Sequence, residues 1–266
     1  MGDPELVERT TEPVTTERIV ADLRDLGVEA GDTLLVHSSL RSVGWVVGGP
    51  QAVVEGLQEA VTESGTVVVP THTSQYTDPA GWSNPAVPDE WYETIRTERP
   101  PYRPDVTQSW GVGIVPECLR TYPDAVRSRH PVFSFAAWGG DAETIAHEFD
   151  DALGEGSPLA RVYELDGSIL LLGVGHDSNT SLHLAEYRAD VETERVENTV
   201  PILRDGERAT ITYEDIETST DDFADLGAAF EDAVGVREGT VGEANAKLID
   251  QPSLVDFAVE WFEANR

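Results

Sequence analysis

With 266 residues, the chain is long enough for one large domain or two small ones, and its core needs no disulfide or metal to be stable. The 50 acidic residues outnumber the 18 Lys and Arg residues and give a net charge of −32, which excludes electrostatic binding to nucleic acids and to anionic membranes. The lone Cys118 excludes an intrachain disulfide framework and a multi-cysteine zinc site. The sequence contains no secretory signal and no apolar run that approaches the roughly 20 residues of a bilayer span, so we expect a soluble, cytoplasmic protein.

The choice of charged residues is typical of a halophilic protein. Every basic residue except Lys247 is an arginine, and the carboxylates are spread along the whole chain. At about 1 M salt the Debye length falls to roughly 3 Å, so the repulsion between these carboxylates is screened. The even spread argues against the alternative that the acidity serves one cationic partner. We therefore expect the chain to lose structure when salt is removed.

Apolar periodicity and turn residues predict alternating helices and strands. In chain order, the predicted elements are a helix at 16–26, a strand at 33–36, a helix at 51–61, a strand at 66–69, a helix at 111–120, a strand at 133–137, helices at 142–149 and 157–164, a strand at 168–172, and helices at 243–250 and 253–265. Asp205 and Gly206 predict a hairpin that pairs 200–204 with 209–213. Residues 71–108 are rich in Pro, Trp and Tyr and predict a long ordered loop excursion, a length that is usually functional.

This order of elements predicts an α/β fold. We expect a three-layer α/β/α arrangement with a mixed, largely parallel central sheet, an antiparallel hairpin and the long ordered loop excursion. The first two strands and the helix between them should form a right-handed βαβ unit.

Two segments follow the pattern of strand, turn and helix start that places ligands at the carboxyl ends of sheet strands. The first, at 36–44, has the sequence VHSSLRSVG. Its small hydroxyl side chains and flexible backbone, followed by a helix start, form a cradle for an anion. An ordinary connection between a strand and a helix is the alternative.

The second segment, at 173–186, contains a candidate general base. His183 and Glu186 are three residues apart in a predicted helix and so share one face, where the carboxylate can orient the imidazole. A purely structural hydrogen bond between them is the alternative. His176 competes for the catalytic role or for contact with substrate, unless it is only a turn residue. The spacing of these histidines with His37 and His72 matches no zinc signature, so we expect no metal.

Segments along most of the chain resemble the aminoglycoside 3-N-acetyltransferase family, which is distinct from the common GNAT fold. The similar segments are 36–44, 70–73, 82–85, 87–91, 102–104, 107–109, 127–131, 134–137, 154–159, 173–176, 179–186, 241–244 and 254–257. The resemblance covers about 16–262 and implies that 1–266 is a single domain.

The resemblance implies an antibiotic resistance enzyme that transfers the acetyl group of acetyl-CoA to an amine of an aminoglycoside. It assigns the general base to His183, with Glu186 stabilising the imidazolium, and needs neither a metal nor a covalent enzyme intermediate. The residues implied to contact the coenzyme are Ser38, Ser39, Leu40, Ser42, Gly44, Thr107, Ser109 and His130.

The acceptor implied by the resemblance is a small-molecule amine that is polycationic in the antibiotic case. Carboxylates would hold it, and Asp78 and Glu186 are the candidates. The negative oxygen formed on the thioester needs a donor, such as a backbone N–H group or the hydroxyl of Thr73. Three alternatives stay open: a transferase for a non-antibiotic cellular amine, a non-catalytic CoA-binding protein and a metal-dependent hydrolase. A homodimer is compatible with the sequence.

Overall fold

A computed structural model describes residues 4–83, 85–146 and 152–266 of the chain. The helices of this part are α1 (Pro4–Arg9), α2 (Thr16–Leu26), α3 (Leu40–Val43), α4 (Pro50–Val61), α5 (Tyr92–Glu98), α6 (Ile114–Arg120), α7 (Ala142–Ala146), α8 (Pro158–Glu164), α9 (Ser181–Arg188), α10 (Phe223–Ala233) and α11 (Gln251–Asn265). The strands are β1 (Thr33–Ser38), β2 (Thr66–Pro70), β3 (Val126–Arg127), β4 (Phe135–Gly139), β5 (Ser168–Leu172), β6 (Arg195–Arg204), β7 (Glu207–Ile216), β8 (Arg237–Val241) and β9 (Ala244–Asp250).

The central sheet has seven strands in the order β3-β4-β2-β1-β5-β9-β8. Strand β1 pairs in parallel with both β2 and β5, and the outer strands pair antiparallel. The chain passes from β1 through α4 to β2, which confirms the predicted βαβ unit. The three central strands therefore end at one common edge, and this edge carries the candidate site.

Alternate residues of the sheet contact helices on its two faces. On β1, Leu34 and Val36 belong to a buried cluster with residues of α2, α4 and α6. Leu35 lies in a second cluster with residues of α7, α8, α9 and α11. Because successive side chains of a strand point to opposite faces, an uninterrupted apolar strand indicates a sheet covered on both sides. The predicted mixed α/β fold is confirmed.

Helix α2 shows how local sequence signals set the element boundaries. The Thr15 side chain accepts a hydrogen bond from the backbone N–H of Arg18 at the helix start. Gly27 ends the helix in the left-handed region, with φ of 106°. Both signals were readable from the sequence, because Thr is a good N-cap and Gly pays no steric cost at positive φ.

The hairpin of β6 and β7 forms a separate two-stranded sheet, as the turn at Asp205 and Gly206 predicts. Within its described residues, the loop excursion contains α5, which the sequence analysis did not predict. Among the described helices, none has the length and apolarity to cross a membrane.

The prediction of a helix at 243–250 is wrong, because these residues form β9 between β5 and β8. Ala244, Ala246 and Leu248 are buried while Asn245 is exposed, which is the period of a strand. Helix α10 and strand β8 were not predicted. The predicted helix at 142–149 is confirmed over α7, and its last three residues lie outside the described residues.

Candidate active site

Three of the histidines named in the sequence analysis lie at or after the carboxyl ends of β2, β1 and β5. His72 follows the end of β2, His37 is the next-to-last residue of β1, and the loop after β5 leads to His183 on α9. In open α/β sheets, ligands bind beyond the carboxyl ends of neighbouring parallel strands.

His183 and Glu186 form a hydrogen-bonded dyad on α9. Their Nδ1 and Oε2 atoms are 2.5 Å apart, with side-chain exposures of 11% for His183 and 1% for Glu186. The Nδ1 bond leaves the opposite ring nitrogen, Nε2, as the proton acceptor, since a carboxylate can only accept. No hydrogen bond joins Nε2 to any residue that the structure describes. The predicted shared face is confirmed.

Glu186 is held by groups that are distant in sequence. Its Oε1 atom accepts hydrogen bonds from the Arg266 guanidinium at 2.6 Å and from the backbone N–H of Ser219 at 3.3 Å. Both oxygens are thus used inside the protein, and the side chain is buried. This geometry suits Glu186 as the partner that orients His183, and binding of the acceptor by Glu186 stays a prediction.

Two further histidines at the strand ends, the buried His37 and the half-buried His72, are neutral at pH 7. Burial lowers the pKa of His37 to about 3, and the nearby charge of His183 lowers it in the same direction. The pKa of His72 is also lowered to about 3 by burial and then by His183. The His37 Nε2 atom lies 3.3 Å from the Thr180 hydroxyl. Neither imidazole is suited to take a proton at neutral pH.

The predicted coenzyme turn spans the end of β1 and helix α3. The Ser39 side chain caps α3, and the Ser42 hydroxyl lies 3.0 Å from Ser39 Oγ and 3.1 Å from the Gly173 carbonyl oxygen. Leu40 packs against the core, and Gly44 has a φ of 103°. By contrast, Ser38 Oγ is buried and has no hydrogen-bond partner among the described residues. Of the predicted side-chain contacts in this turn, Ser38 keeps a hydroxyl available for a ligand.

Thr107, Ser109 and His130 each make hydrogen bonds within the protein, and their contact with the coenzyme stays a prediction. Thr107 Oγ1 accepts a hydrogen bond from the backbone N–H of Arg103 at 2.9 Å. The Ser109 hydroxyl donates to Glu117 at 2.6 Å. The buried Nδ1 atom of His130 accepts from the backbone N–H groups of residues 132 and 133, at 3.1 and 2.8 Å. These three side chains shape their loops.

His176 is packed against α10, and its contact with substrate stays a prediction. Its Nε2 atom lies 2.9 Å from Glu231 and its Nδ1 atom 3.5 Å from the Asn179 amide. A Cβ atom at Gly227 would lie 2.1 Å from Cγ of this ring, so the imidazole rests directly on the helix backbone. Burial lowers the pKa of His176, against the opposing effect of Glu231.

Asp78 and Thr73 also have other partners than those expected. The Asp78 carboxylate accepts hydrogen bonds from Nη2 and Nε of Arg96, at 2.8 and 3.0 Å, and from the backbone N–H of Ala80. Its side chain is 58% exposed, and its binding of a cationic acceptor stays a prediction. The Thr73 hydroxyl donates to the carbonyl oxygen of Pro131, and its role toward the thioester oxygen stays a prediction.

The sequence analysis did not indicate Arg266, Ser219 or Phe223 as site residues. Arg266 and Ser219 are 80 and 33 positions from Glu186, and the Phe223 ring lies 4.9 Å from the His183 ring. No periodicity or motif marks such distant partners. No cluster of metal-ligating side chains is found in the described part of the chain.

Together, the fold and the dyad define an α/β enzyme with a histidine–carboxylate pair beyond the carboxyl ends of its parallel strands. The chain belongs to the aminoglycoside 3-N-acetyltransferase family, whose model matches residues 35–263. It is an acyltransferase of this family, as the sequence resemblance predicted.

Relatives match nearly the whole chain. The SPbeta prophage-derived aminoglycoside N(3')-acetyltransferase-like protein YokD of Bacillus subtilis (strain 168) is 42% identical over 263 residues, covering 98% of this chain and 96% of that protein. Aminoglycoside N(3)-acetyltransferase VII of Streptomyces paromomycinus is 38% identical over 280 residues, covering 99% of this chain and 96% of that protein.

Solved structures share the fold. The crystal structure of YokD has a TM-score of 0.94 and covers 98% of this chain and 97% of its own. AAC-VIa bound to sisomicin has a TM-score of 0.86 at 34% identity, covering 96% and 99% of the two chains. AAC-IIIb in a binary complex with CoASH has a TM-score of 0.85 at 31% identity, covering 95% and 97%.

Proposed function

We propose that this enzyme transfers the acetyl group of acetyl-CoA to an amine of an aminoglycoside-like acceptor, with His183 as the general base. The observation that carries the proposal is the 2.5 Å bond between His183 Nδ1 and Glu186 at the carboxyl ends of the parallel strands. The similar structures that hold CoASH and sisomicin support the two substrate classes.

The dyad supplies the proton transfer that the reaction needs. A protonated amine has no lone pair and cannot attack a thioester, so His183 Nε2 takes a proton as the amine approaches. The new N–C bond forms, the C–S bond breaks, and the imidazolium returns the proton to the leaving sulfur to give the free CoA thiol. Glu186 stabilises the imidazolium through Nδ1–H in the interval between these two transfers.

The coenzyme would lie along the turn after β1. The buried, unpartnered Ser38 hydroxyl fits a polar ligand, because a buried polar group without a partner is costly. Backbone N–H groups at the start of α3, with Gly44 beyond it, would add further donors at this turn. We propose that Ser39, Leu40 and Ser42 contribute their backbone and the shape of the turn, since the two hydroxyls are already bonded.

Neither charge nor the predicted carboxylates identify the acceptor amine. The net charge of −32 attracts any polyamine, so acidity alone does not favour an aminoglycoside over a cellular amine. Both carboxylates expected to bind the acceptor are engaged elsewhere, Asp78 by Arg96 and Glu186 by His183 and Arg266. A screen of amines is therefore the direct route to the acceptor.

The proposal is tested by thiol release from acetyl-CoA with a panel of aminoglycosides and cellular polyamines. Replacing His183 by Ala should lower turnover by about 10²–10⁴-fold while calorimetry shows unchanged CoA binding. Unchanged turnover in this variant would refute the assigned base. CoA binding by the wild type without thiol release for any amine would instead indicate a non-catalytic CoA-binding protein.

A further inference from the structure

We infer that Arg266 is a positioning residue for catalysis, which holds the Glu186 carboxylate in the orientation that aligns His183. The inference rests on the proposed function of the dyad. Its starting observation is the ion pair between Arg266 Nη1 and Glu186 Oε1 at 2.6 Å. The other carboxylate oxygen, Oε2, lies 2.5 Å from His183 Nδ1.

The Arg266 guanidinium is fixed by a second carboxylate. Its Nε and Nη2 atoms donate to the two oxygens of Asp222 at 2.8 and 2.7 Å, which is the paired geometry that a planar guanidinium favours. This pairing leaves Nη1 directed at Glu186. Arg266 thus connects Asp222, which precedes α10, with the Glu186 carboxylate of the dyad.

A second set of contacts connects Arg266 with the ring of His183. The guanidinium lies 3.9 Å from the centre of the Phe262 ring, and Phe262 contacts Phe223 at a ring distance of 6.3 Å. Phe223 in turn lies 4.9 Å from the His183 ring. The same arginine therefore supports both the carboxylate partner and the aromatic surface against which the imidazole packs.

The burial of Glu186 explains why such a cation is needed. Its side chain is 1% exposed, and an ionised carboxylate removed from water requires paired and hydrogen-bonded partners. His183 supplies a full positive charge only while it carries the transferred proton. Arg266 supplies one throughout the cycle, so the carboxylate keeps its position when the imidazole is neutral.

The test compares Arg266→Gln with a matched control on the same helix as the dyad, Arg188→Gln. Arg188 has the same side-chain exposure of 22%, is paired with Glu155, and lies 4.0 Å from the centre of the Tyr163 ring. It does not contact the dyad. Any general effect of removing a paired, ring-stacked arginine is therefore present in both variants.

We expect Arg266→Gln to lower kcat by about 10- to 100-fold with an unchanged KM for acetyl-CoA, because it removes one charge-assisted hydrogen bond behind the base. Arg188→Gln should keep the wild-type kcat. Arg266→Lys should recover part of the loss, since an ammonium keeps the charge but cannot bond Glu186 and Asp222 with the same fork. This variant also keeps the test valid if Arg266→Gln fails to fold.

A double-mutant cycle separates positioning from general structure. In a Glu186→Gln background, Arg266→Gln should cause little further loss of kcat, because its effect passes through the carboxylate. An equal loss in both backgrounds, or a wild-type kcat for Arg266→Gln, would overturn the inference. His183→Ala is assayed in parallel: full turnover there refutes the proposed base itself, whereas loss there with an active Arg266→Gln refutes only the role of Arg266.

Discussion

Replacing His130 by Asn should make the fold less sensitive to acid. Burial lowers the pKa of His130 to about 3, and His37 and His72 are lowered to the same value. In the unfolded chain these imidazoles titrate near pH 6.5. Between about pH 6.5 and pH 3 the unfolded state therefore binds more protons than the folded state, and stability is lost as the pH falls through this window.

The magnitude follows from the difference between the two pKa values. Between pH 7 and pH 5, each of the three histidines costs about 2 kcal/mol of unfolding free energy, or about 6 kcal/mol together. Carboxylates with lowered pKa values begin to contribute only below about pH 4.5, so this pH interval isolates the histidines. Asn keeps an acceptor oxygen near the backbone N–H groups that His130 Nδ1 now bonds.

The assay is urea unfolding followed by far-UV circular dichroism, at pH 7 and pH 5 and constant high KCl. The wild type should lose about 2 kcal/mol more than His130→Asn between the two pH values. A uniform destabilisation by the substitution cancels, because only the difference between the pH values is compared. An equal loss in both proteins would refute the reasoning that buried, neutral His130 contributes to acid sensitivity.

Two further predictions concern stability. Gly227→Ala should lower the unfolding free energy by about 1–3 kcal/mol in urea titrations, because the new methyl group would meet the His176 ring at 2.1 Å. The control is Gly81→Ala, because no atom lies within 4 Å of a Cβ atom placed there. An equal effect of both substitutions would contradict the packing argument. The wild-type unfolding free energy should rise from 0.2 M to about 2 M KCl, since salt screens the net charge of −32. A stability that does not depend on salt would contradict the halophilic interpretation.

The features that could be predicted from the sequence are those that depend on neighbouring residues. Gly27 ended its helix where expected, and the spacing of His183 and Glu186 indicated their contact because both lie on one helix. The segment 243–250 was misread as a helix, although Ala244, Ala246 and Leu248 alternate with more exposed residues as in a strand. Its place between β5 and β8 overrides the weak helical preference of its alanines.

The rest of the site depends on contacts between distant segments. Nothing near Asp78 in the sequence indicates that Arg96 neutralises it, and nothing near His176 shows that Gly227 allows its ring to pack against a helix. Arg266 is brought to Glu186 only by the packing of α11 against α9. Local patterns thus located the dyad, whereas the groups that hold it required the folded structure.

The most direct test of the central claim is a crystal structure of the protein with CoA and an accepted amine. We predict that His183 Nε2 lies within about 3.5 Å of the acceptor nitrogen, on the side of the coenzyme sulfur. An imidazole separated from both the nitrogen and the sulfur by other side chains would contradict the account.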